Sequence, residues 1–175
     1  ARIDGELTPV TGAEVWDKAT VDAVLGSVMS DRQREAFDEQ WELDFAISPR
    51  GEDRFRTNFY RERDSLAGAF RLIPTEIKSL KQLGVPSVVG RFATLPRGLV
   101  LVTGPTGSGK STTLAALIDL VNKTRAEHIV TIEDPIEFVH ANQRALVNQR
   151  EVGADTHSFA DALKRVLRQD PDVIL

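Results

Sequence analysis

The feature that most constrains this chain is a glycine-rich loop, Gly104-Pro105-Thr106-Gly107-Ser108-Gly109-Lys110-Ser111. The loop fits the pattern GxxxxGK[ST] and lies between a predicted strand at Leu99–Val102 and a predicted helix at Ser111–Val121. Glycines let such a loop bend tightly and bring its backbone N–H groups against phosphate oxygens, and the start of the next helix adds a favourable dipole. The sequence therefore predicts a nucleotide-phosphate site in an α/β fold.

Three side chains at the end of the loop have predicted positions. Lys110 would reach the β- and γ-phosphates, and the Ser111 hydroxyl would ligate the Mg²⁺ that bridges them. Thr112 is expected in the helix behind the loop. The predicted cofactors are ATP and Mg²⁺, and the predicted binding residues are Gly104, Pro105, Thr106, Gly107, Ser108, Gly109, Lys110, Ser111 and Thr112.

An acidic segment with Glu133, Asp134 and Glu137 follows the next predicted strand, Ile129–Glu133. We expect this strand to neighbour the strand before the phosphate loop. Ligands bind at the carboxyl ends of strands in open α/β sheets, so these acids are candidates to orient Mg²⁺ or an attacking water. Spacing alone leaves a solvated acidic turn as an equal alternative, because Asp-Pro commonly starts a turn.

The composition argues against several other kinds of site. The 175 residues include no cysteine and three scattered histidines, so no metal site is predicted beyond the Mg²⁺ that accompanies a nucleotide. A net charge of −4 gives no basic field for nucleic acid. The apolar runs are far shorter than the roughly 20 residues of a membrane helix, so no direct membrane insertion is predicted.

The first half of the chain reads as an α+β domain with an antiparallel sheet. Asp4-Gly5 predicts a hairpin within Arg2–Val10, and helical spacing predicts two helices between Lys18 and Glu39, the second capped near Ser30. Three strands are then predicted at Leu43–Ile47, Phe55–Tyr60 and Leu66–Ile73. A turn is predicted at Pro49–Glu52, between the first two strands.

A domain boundary is predicted near residue 75, where Pro74 ends the strand pattern. A connector with one or two short helices is expected up to Pro96. After the phosphate loop and acidic segment, a strand, a helix and the start of a further strand are predicted at Ala145–Gln149, Ser158–Leu167 and Val173–Leu175.

Arginines crowd the strands of the first half, and alternation sends Arg54 and Arg56 to the same face of the sheet. A solvated face that pairs with neighbouring acids is the simpler interpretation. The functional interpretation is a set of arginines that contact the γ-phosphate on a neighbouring subunit.

Six further segments of the chain match sequences of a known protein family, namely Phe70–Pro74, Leu83–Pro86, Arg97–Thr103, Thr131–Phe138, Leu146–Val152 and Gln169–Leu175. Together with the phosphate loop they closely resemble the PilT-like type IV pilus retraction ATPases, which are part of the wider type II/IV secretion ATPase family. The resemblance covers nearly the whole chain.

The resemblance implies a PAS-like α+β N-terminal domain over residues 1–74, a linker with short helices over 75–96, and the first part of a RecA-like P-loop ATPase domain over 97–175. It also implies a homo-hexameric ring that binds ATP between domains and drives pilus retraction and twitching motility. The implied location is cytoplasmic, at the inner face of the membrane, through a platform protein of the pilus.

In that family the acidic segment is the Asp box, which makes Glu137 the expected catalytic carboxylate, with Glu133 and Asp134 beside it. The resemblance implies that the N-domain arginines face the nucleotide, and the best matching positions are Arg56, Arg63 and Arg71. This chain has Asp64 where members of the family usually have a glycine after the arginine at position 63. The direction of the Arg63 side chain is therefore left open.

The chain starts after the position of the family's N-terminal helix and ends before its Walker B glutamate and His-box histidines. We therefore expect the chain alone to bind nucleotide weakly and to hydrolyse little. The alternatives are a pilus-assembly or type II secretion ATPase of the same family, a nucleotide-binding module without turnover, and, more remotely, a P-loop kinase.

Overall fold

The computed structural model describes residues 1–3, 5–49, 53–73 and 76–175. The chain divides into two compact units, Ala1–Leu72 and Ile73–Leu175. The boundary predicted near residue 75 falls on Pro74 and Thr75, which lie outside the described residues, as do Asp4 and residues 50–52 of the two predicted turns. The ranges 1–74, 75–96 and 97–175 stay predictions.

The first unit has the predicted α+β pattern. The hairpin and the sheet are separate, and the sheet has the order β3-β4-β5 with β3 and β4 antiparallel. Its elements are β1 (Arg2–Ile3), β2 (Glu6–Leu7), α1 (Lys18–Val28), α2 (Asp31–Gln40), β3 (Glu42–Ile47), β4 (Arg54–Glu62) and β5 (Ser65–Ile73).

Both helices of this unit pack on one face of its sheet. Leu25 and Phe37, from α1 and α2, share a buried cluster with Phe59 of β4, which is fully buried. The rings of Phe45 and Phe59 meet edge to face with their centroids 5.0 Å apart. Because side chains alternate along a strand, this packing leaves Arg56 on the opposite face of the sheet.

The turn between β4 and β5 consists of Arg63 and Asp64, which have φ angles of 49° and 65°. Two left-handed residues are typical of the two-residue turn whose twist matches a hairpin. Asp tolerates this left-handed conformation better than most residues, so Asp64 can occupy a turn position that glycine would occupy without strain. The amino group of Lys18 donates to the carbonyl of Asp64 at 2.5 Å and holds the turn against the start of α1.

The second unit is built around a parallel sheet with the order β7-β6-β8. Among the described residues, no helix of either unit is both long and apolar enough to cross a membrane. The elements of the second unit are a 3-10 helix (Ser87–Thr94), α3 (Lys110–Thr124), β6 (His128–Glu133), β7 (Leu146–Glu151), α4 (Phe159–Val166) and β8 (Val173–Ile174).

Strand β6 is the centre of this unit because both of its faces are covered. Ile129 packs into the cluster that contains Leu117 of α3, and Val130 packs into the cluster that contains Val166 of α4. Ile129, Val130 and Val166 are fully buried. A strand that is apolar on successive residues is typical of a parallel sheet with helices on both faces.

The predicted strand at Leu99–Val102 is wrong, since the structure has no strand there. Leu99 and Leu101 are 83% and 75% exposed. A strand needs a partner, and this segment has none: β6 pairs with β7 and β8, and the segment does not pair with the outer edge of either of these strands. The expectation that β6 neighbours the strand before the phosphate loop is therefore also wrong. Residues 98–100 instead line a cleft of about 230 Å³ together with β8.

We predict that Ser30→Ala destabilises the first unit by about 0.5–2 kcal/mol, because it removes the N-cap of α2. Ser30 and Gln33 form a reciprocal capping box, in which the Ser30 N–H donates to Gln33 Oε1 at 2.9 Å. Urea unfolding followed by tryptophan fluorescence would measure this loss, since Trp16 and Trp41 both lie in the first unit.

The control for this experiment is Ser27→Ala in the last turns of α1, where the hydroxyl donates to the carbonyl of Val24 inside the helix. Alanine is favourable inside a helix, so this variant should keep the wild-type midpoint. Equal midpoints for Ser30→Ala and Ser27→Ala would show that the cap contributes nothing.

Candidate nucleotide site

The phosphate loop owes its shape to glycines in conformations that other residues adopt only with strain. Gly107 and Gly109 have φ angles of 79° and 86°. A Cβ atom on Gly104 would lie 2.6 Å from Ser108 Oγ, closer than Cβ atoms in proteins normally come to another heavy atom. The loop therefore depends on glycine for two separate reasons, backbone conformation and close approach.

Helix α3 begins directly after this loop with its first amide groups uncapped by a side chain. Gly109 occupies the N-cap position and has no side chain with which to cap the helix. The Lys110 ammonium donates to the carbonyl of Pro105 at 2.9 Å, so this positive charge lies against the loop itself. Free N–H groups at a helix start and an adjacent ammonium are a suitable site for an anion.

The structure brings Ser111 together with all three predicted acids. Ser111 of α3 lines a cleft of about 280 Å³ that Glu133, Asp134 and Glu137 also line. Glu133 is the last residue of β6, so the acids lie at the carboxyl end of the central strand. Lys110 and the other loop residues lie immediately before Ser111, and Thr112 is half-buried behind it in α3.

The Glu133 carboxylate is held in a fixed orientation. Its Oε1 atom accepts from Thr131 Oγ1 at 2.6 Å and from Gln149 Nε2 at 3.1 Å. Among the described residues, no three His, Cys, Asp or Glu side chains are grouped closely enough to hold a metal ion by themselves. A hydroxyl and carboxylates are hard oxygen donors that suit Mg²⁺, which usually takes its remaining ligands from phosphates and water.

His140 also lines this cleft, although nothing in its sequence context predicts a site there. The residue is 8% exposed, and its Nδ1 atom is buried without a hydrogen-bond partner among the described residues. Burial lowers the pKa of His140, although the nearby Asp119 and Glu133 carboxylates act in the opposite direction. His140 is therefore a neutral imidazole at neutral pH.

The three predicted arginines do not lie together. Arg56 and Arg71 line one groove of about 990 Å³ in the first unit, which Asp44 and Asn58 line as well. Arg63 lies in the turn after β4 and is not among the residues of that groove. Arg56 and Arg71 therefore share one surface of the first unit, and a nucleotide contact by any of the three arginines stays a prediction.

Three residues that bond to the acids or to the loop around them were not predicted from the sequence, namely Thr131, Gln149 and Glu151. Thr131 is fully buried in β6, and Glu151 is a buried acid in β7. Thr131 and Gln149 are polar residues inside predicted strands, which was a signal of buried partners because a buried polar group must be hydrogen-bonded. Glu151 lies beyond the predicted strand Ala145–Gln149, so it gave no such signal. The identity of the partners could not be read from the sequence, since it depends on the register of β6 with β7.

We predict that acidification destabilises the second unit through His140. Because the pKa of His140 is lower in the folded chain than in the unfolded chain, the unfolded chain takes up the proton first as the pH falls. The contribution of neutral His140 to the free energy of unfolding is present above about pH 6.5 and is lost as the pH falls below that value. Thermal unfolding followed by far-ultraviolet circular dichroism at about pH 7.5 and about pH 5.5 would measure this difference.

His140→Gln should show a smaller loss of stability on acidification than the wild type. The matched control is His157→Gln, which removes an exposed histidine of the same unit. An unchanged pH dependence in His140→Gln would contradict the prediction.

Comparison with known proteins places this site in a family. The model of the family described as type II/IV secretion system protein matches residues 71–175. The "Type IV pilus retractation ATPase PilT" of Pseudomonas aeruginosa is 48% identical over 99% of this chain and 50% of its own length. A "Twitching motility protein" of Neisseria gonorrhoeae is 47% identical over 99% of this chain and 46% of its own length.

Solved structures agree with this comparison. A crystal structure of the pilus retraction motor PilT with bound ADP has a TM-score of 0.94 and 48% identity, over 99% of this chain and 50% of that one. The predicted α/β fold class is therefore confirmed. The chain spans about half the length of the curated relatives it matches. The chain belongs to the type II/IV secretion system protein family and is similar to PilT along nearly all its length.

Proposed function

We propose that this chain binds ATP with Mg²⁺ and that the intact protein hydrolyses it to power retraction of a type IV pilus. The observation that carries the proposal is the shared cleft of Ser111, Glu133, Asp134 and Glu137 at the start of α3. An anion site at a helix start and a group of carboxylates at a strand end are the two halves of a site for hydrolysis of a phosphate anhydride. The likeness to the PilT proteins supports the choice of reaction.

The proposed mechanism assigns one task to each group. The backbone N–H groups of Gly104–Ser111 and the Lys110 ammonium bind the β- and γ-phosphates, and Ser111 offers its hydroxyl to Mg²⁺. The bound Mg²⁺ would neutralise charge on the phosphate oxygens. Glu137 orients the attacking water and accepts its proton, while Glu133 and Asp134 orient the ligands of the ion.

The arrangement beyond this chain is also part of the proposal. The intact protein works as a homo-hexamer at the cytoplasmic face of the inner membrane, where a pilus platform protein receives the force. Arg56 and Arg71 present a paired basic surface for a nucleotide phosphate, and Arg63 contributes from the neighbouring turn. Similarity along nearly the whole chain to retraction proteins favours retraction over the secretion role of more distant members.

We predict that Lys110→Ala weakens binding of Mg-ATP at least about tenfold, which corresponds to about 1.4 kcal/mol. The variant removes the only charged donor that the loop offers to the phosphates between residues 104 and 111. Isothermal titration calorimetry on the intact protein with Mg-ATP would measure the change.

The matched control is Lys123→Ala on the same helix, whose ammonium pairs with Asp119 at 2.6 Å and lies outside the cleft. Lys123→Ala should bind Mg-ATP as the wild type does. Equal affinity of the Lys110→Ala and Lys123→Ala variants would contradict the assigned role of Lys110.

We predict that Glu137→Gln keeps Mg-ATP binding and lowers the rate of hydrolysis about 10²- to 10⁴-fold, because the amide cannot accept a proton from water. Steady-state phosphate release by the intact protein would measure the rate. Asp170→Asn, which removes a carboxylate outside the cleft, is the control and should hydrolyse at the wild-type rate. A wild-type rate in Glu137→Gln would exclude Glu137 as the base.

A further inference from the structure

The side chain of Gln149 contacts the acidic loop, residues 134–140, and the carboxylate that precedes it. Gln149 Nε2 donates to Glu133 Oε1 at 3.1 Å and to the carbonyl of Phe138 at 2.8 Å. Gln149 Oε1 accepts from the backbone N–H of His140 at 2.7 Å. One amide group of β7 therefore joins both ends of the stretch that carries Asp134 and Glu137.

These three contacts fix the orientation of the amide group. Two of its partners are acceptors, the Glu133 carboxylate and the Phe138 carbonyl, and the third is the N–H donor of His140. A rotated amide would set its oxygen against two other oxygens and its NH₂ group against an N–H. Only the observed orientation satisfies all three partners.

A second residue of β7 holds the middle of the acidic loop. The backbone N–H of Ile136 donates to Glu151 Oε2 at 3.0 Å, and both residues are buried. In the parallel register, Gln149 lies beside Thr131 and Glu151 lies beside Glu133. The loop, which contains no helix or strand, is thus fastened to β7 by side chains at its centre and near its end.

Hydrolysis needs carboxylates that stay in one orientation, because a displacement of about 1 Å at a catalytic group costs on the order of 100-fold in rate. Glu133 could otherwise rotate about its side-chain bonds, and the loop could move relative to the sheet. Thr131 and Gln149 prevent the first motion, and Gln149 and Glu151 prevent the second. Gln149 takes part in both.

We propose that Gln149 is the positioning residue that keeps Glu133 and the acidic loop directed into the cleft. This inference rests on the proposed function, since it gives Gln149 a role in ATP hydrolysis through Glu133 and Glu137. Gln149 does not line the cleft itself and acts on the reaction only through these neighbours.

The test compares Gln149→Ala and Gln149→Glu with the wild type in the intact protein. Both variants remove the NH₂ donor, and Gln149→Glu keeps an acceptor for the N–H of His140 while it places a second carboxylate beside Glu133. The kcat for ATP should fall about 10- to 100-fold in both variants, which is the usual effect of removing a residue that hydrogen-bonds to a ligand and orients it. The KM for ATP should stay within about twofold, because the phosphate loop is unchanged.

The matched control is Asn148→Ala, which removes the neighbouring amide of the same strand. Asn148 is exposed and its side chain contacts His128 Nε2 at 3.1 Å, away from the acidic loop. This variant should keep the wild-type kcat. It reports the cost of losing one amide hydrogen bond from β7 without any change at the acids.

Hydrogen exchange supplies a second measurement that does not depend on activity. The amide of His140 should exchange faster in Gln149→Ala, which loses the acceptor, than in Gln149→Glu, which keeps it, or in Asn148→Ala. The predicted pattern is a fall of kcat in both Gln149 variants with faster His140 exchange only in Gln149→Ala. A wild-type kcat in both Gln149 variants, or a fall equal to that of Asn148→Ala, would overturn the proposal.

Failure of the proposed function would look different. In that case the wild-type protein would release no phosphate from ATP, and the kinetic role of Gln149 would fall with the activity. Faster exchange at His140 in Gln149→Ala would then still establish that Gln149 holds the loop. Unchanged exchange at His140 in Gln149→Ala would remove the structural basis of the inference, whatever the wild-type rate.

Discussion

The acidic side of the cleft depends on the parallel pairing of β6 with β7. The register runs from His128 beside Leu146 to Glu133 beside Glu151 without a break. It brings the side chains of Gln149 and Glu151 to the acidic loop. A slip of one residue would turn both side chains to the other face of the sheet, because neighbouring residues of a strand point to opposite faces. The loop would then lose its contacts to β7.

The helices on either side of β6 protect this register. Leu117 and Ile129 pack in the cluster beside α3, and Val130 and Val166 pack in the cluster beside α4. Burial of apolar side chains on both faces contributes on the order of 25 cal/mol per Å² of area removed from water. Since α3 also begins at the phosphate loop, the same packing sets the position of Ser111 relative to Glu133. The binding and acidic halves of the cleft share one scaffold.

Side chains help to hold the chain between β6 and β7, together with backbone bonds from Arg144 and Ala145 to the carbonyl of Asn122. Gln149 and Glu151 hold the acidic loop, and Asn122 at the end of α3 holds the stretch after it, donating to the carbonyl of Ala141 at 2.8 Å and accepting from the N–H of Gln143 at 3.1 Å. Asn122 is fully buried, so these bonds satisfy a polar group that would be costly if unpaired. These hydrogen bonds restrain the loop, although it has no regular secondary structure.

The sequence by itself determined the phosphate loop, the helices, most strands and the identity of the acids, because these follow from short-range rules: glycine conformations, capping and the periodicity of apolar residues. It did not determine whether Leu99–Val102 forms a strand, since a strand exists only where another strand offers hydrogen bonds. It also could not show that Ser111 and Glu137 line one cleft, or that Gln149 reaches Glu133. Both arrangements involve residues far apart along the chain, and only the packing of β6 between its neighbours decided them.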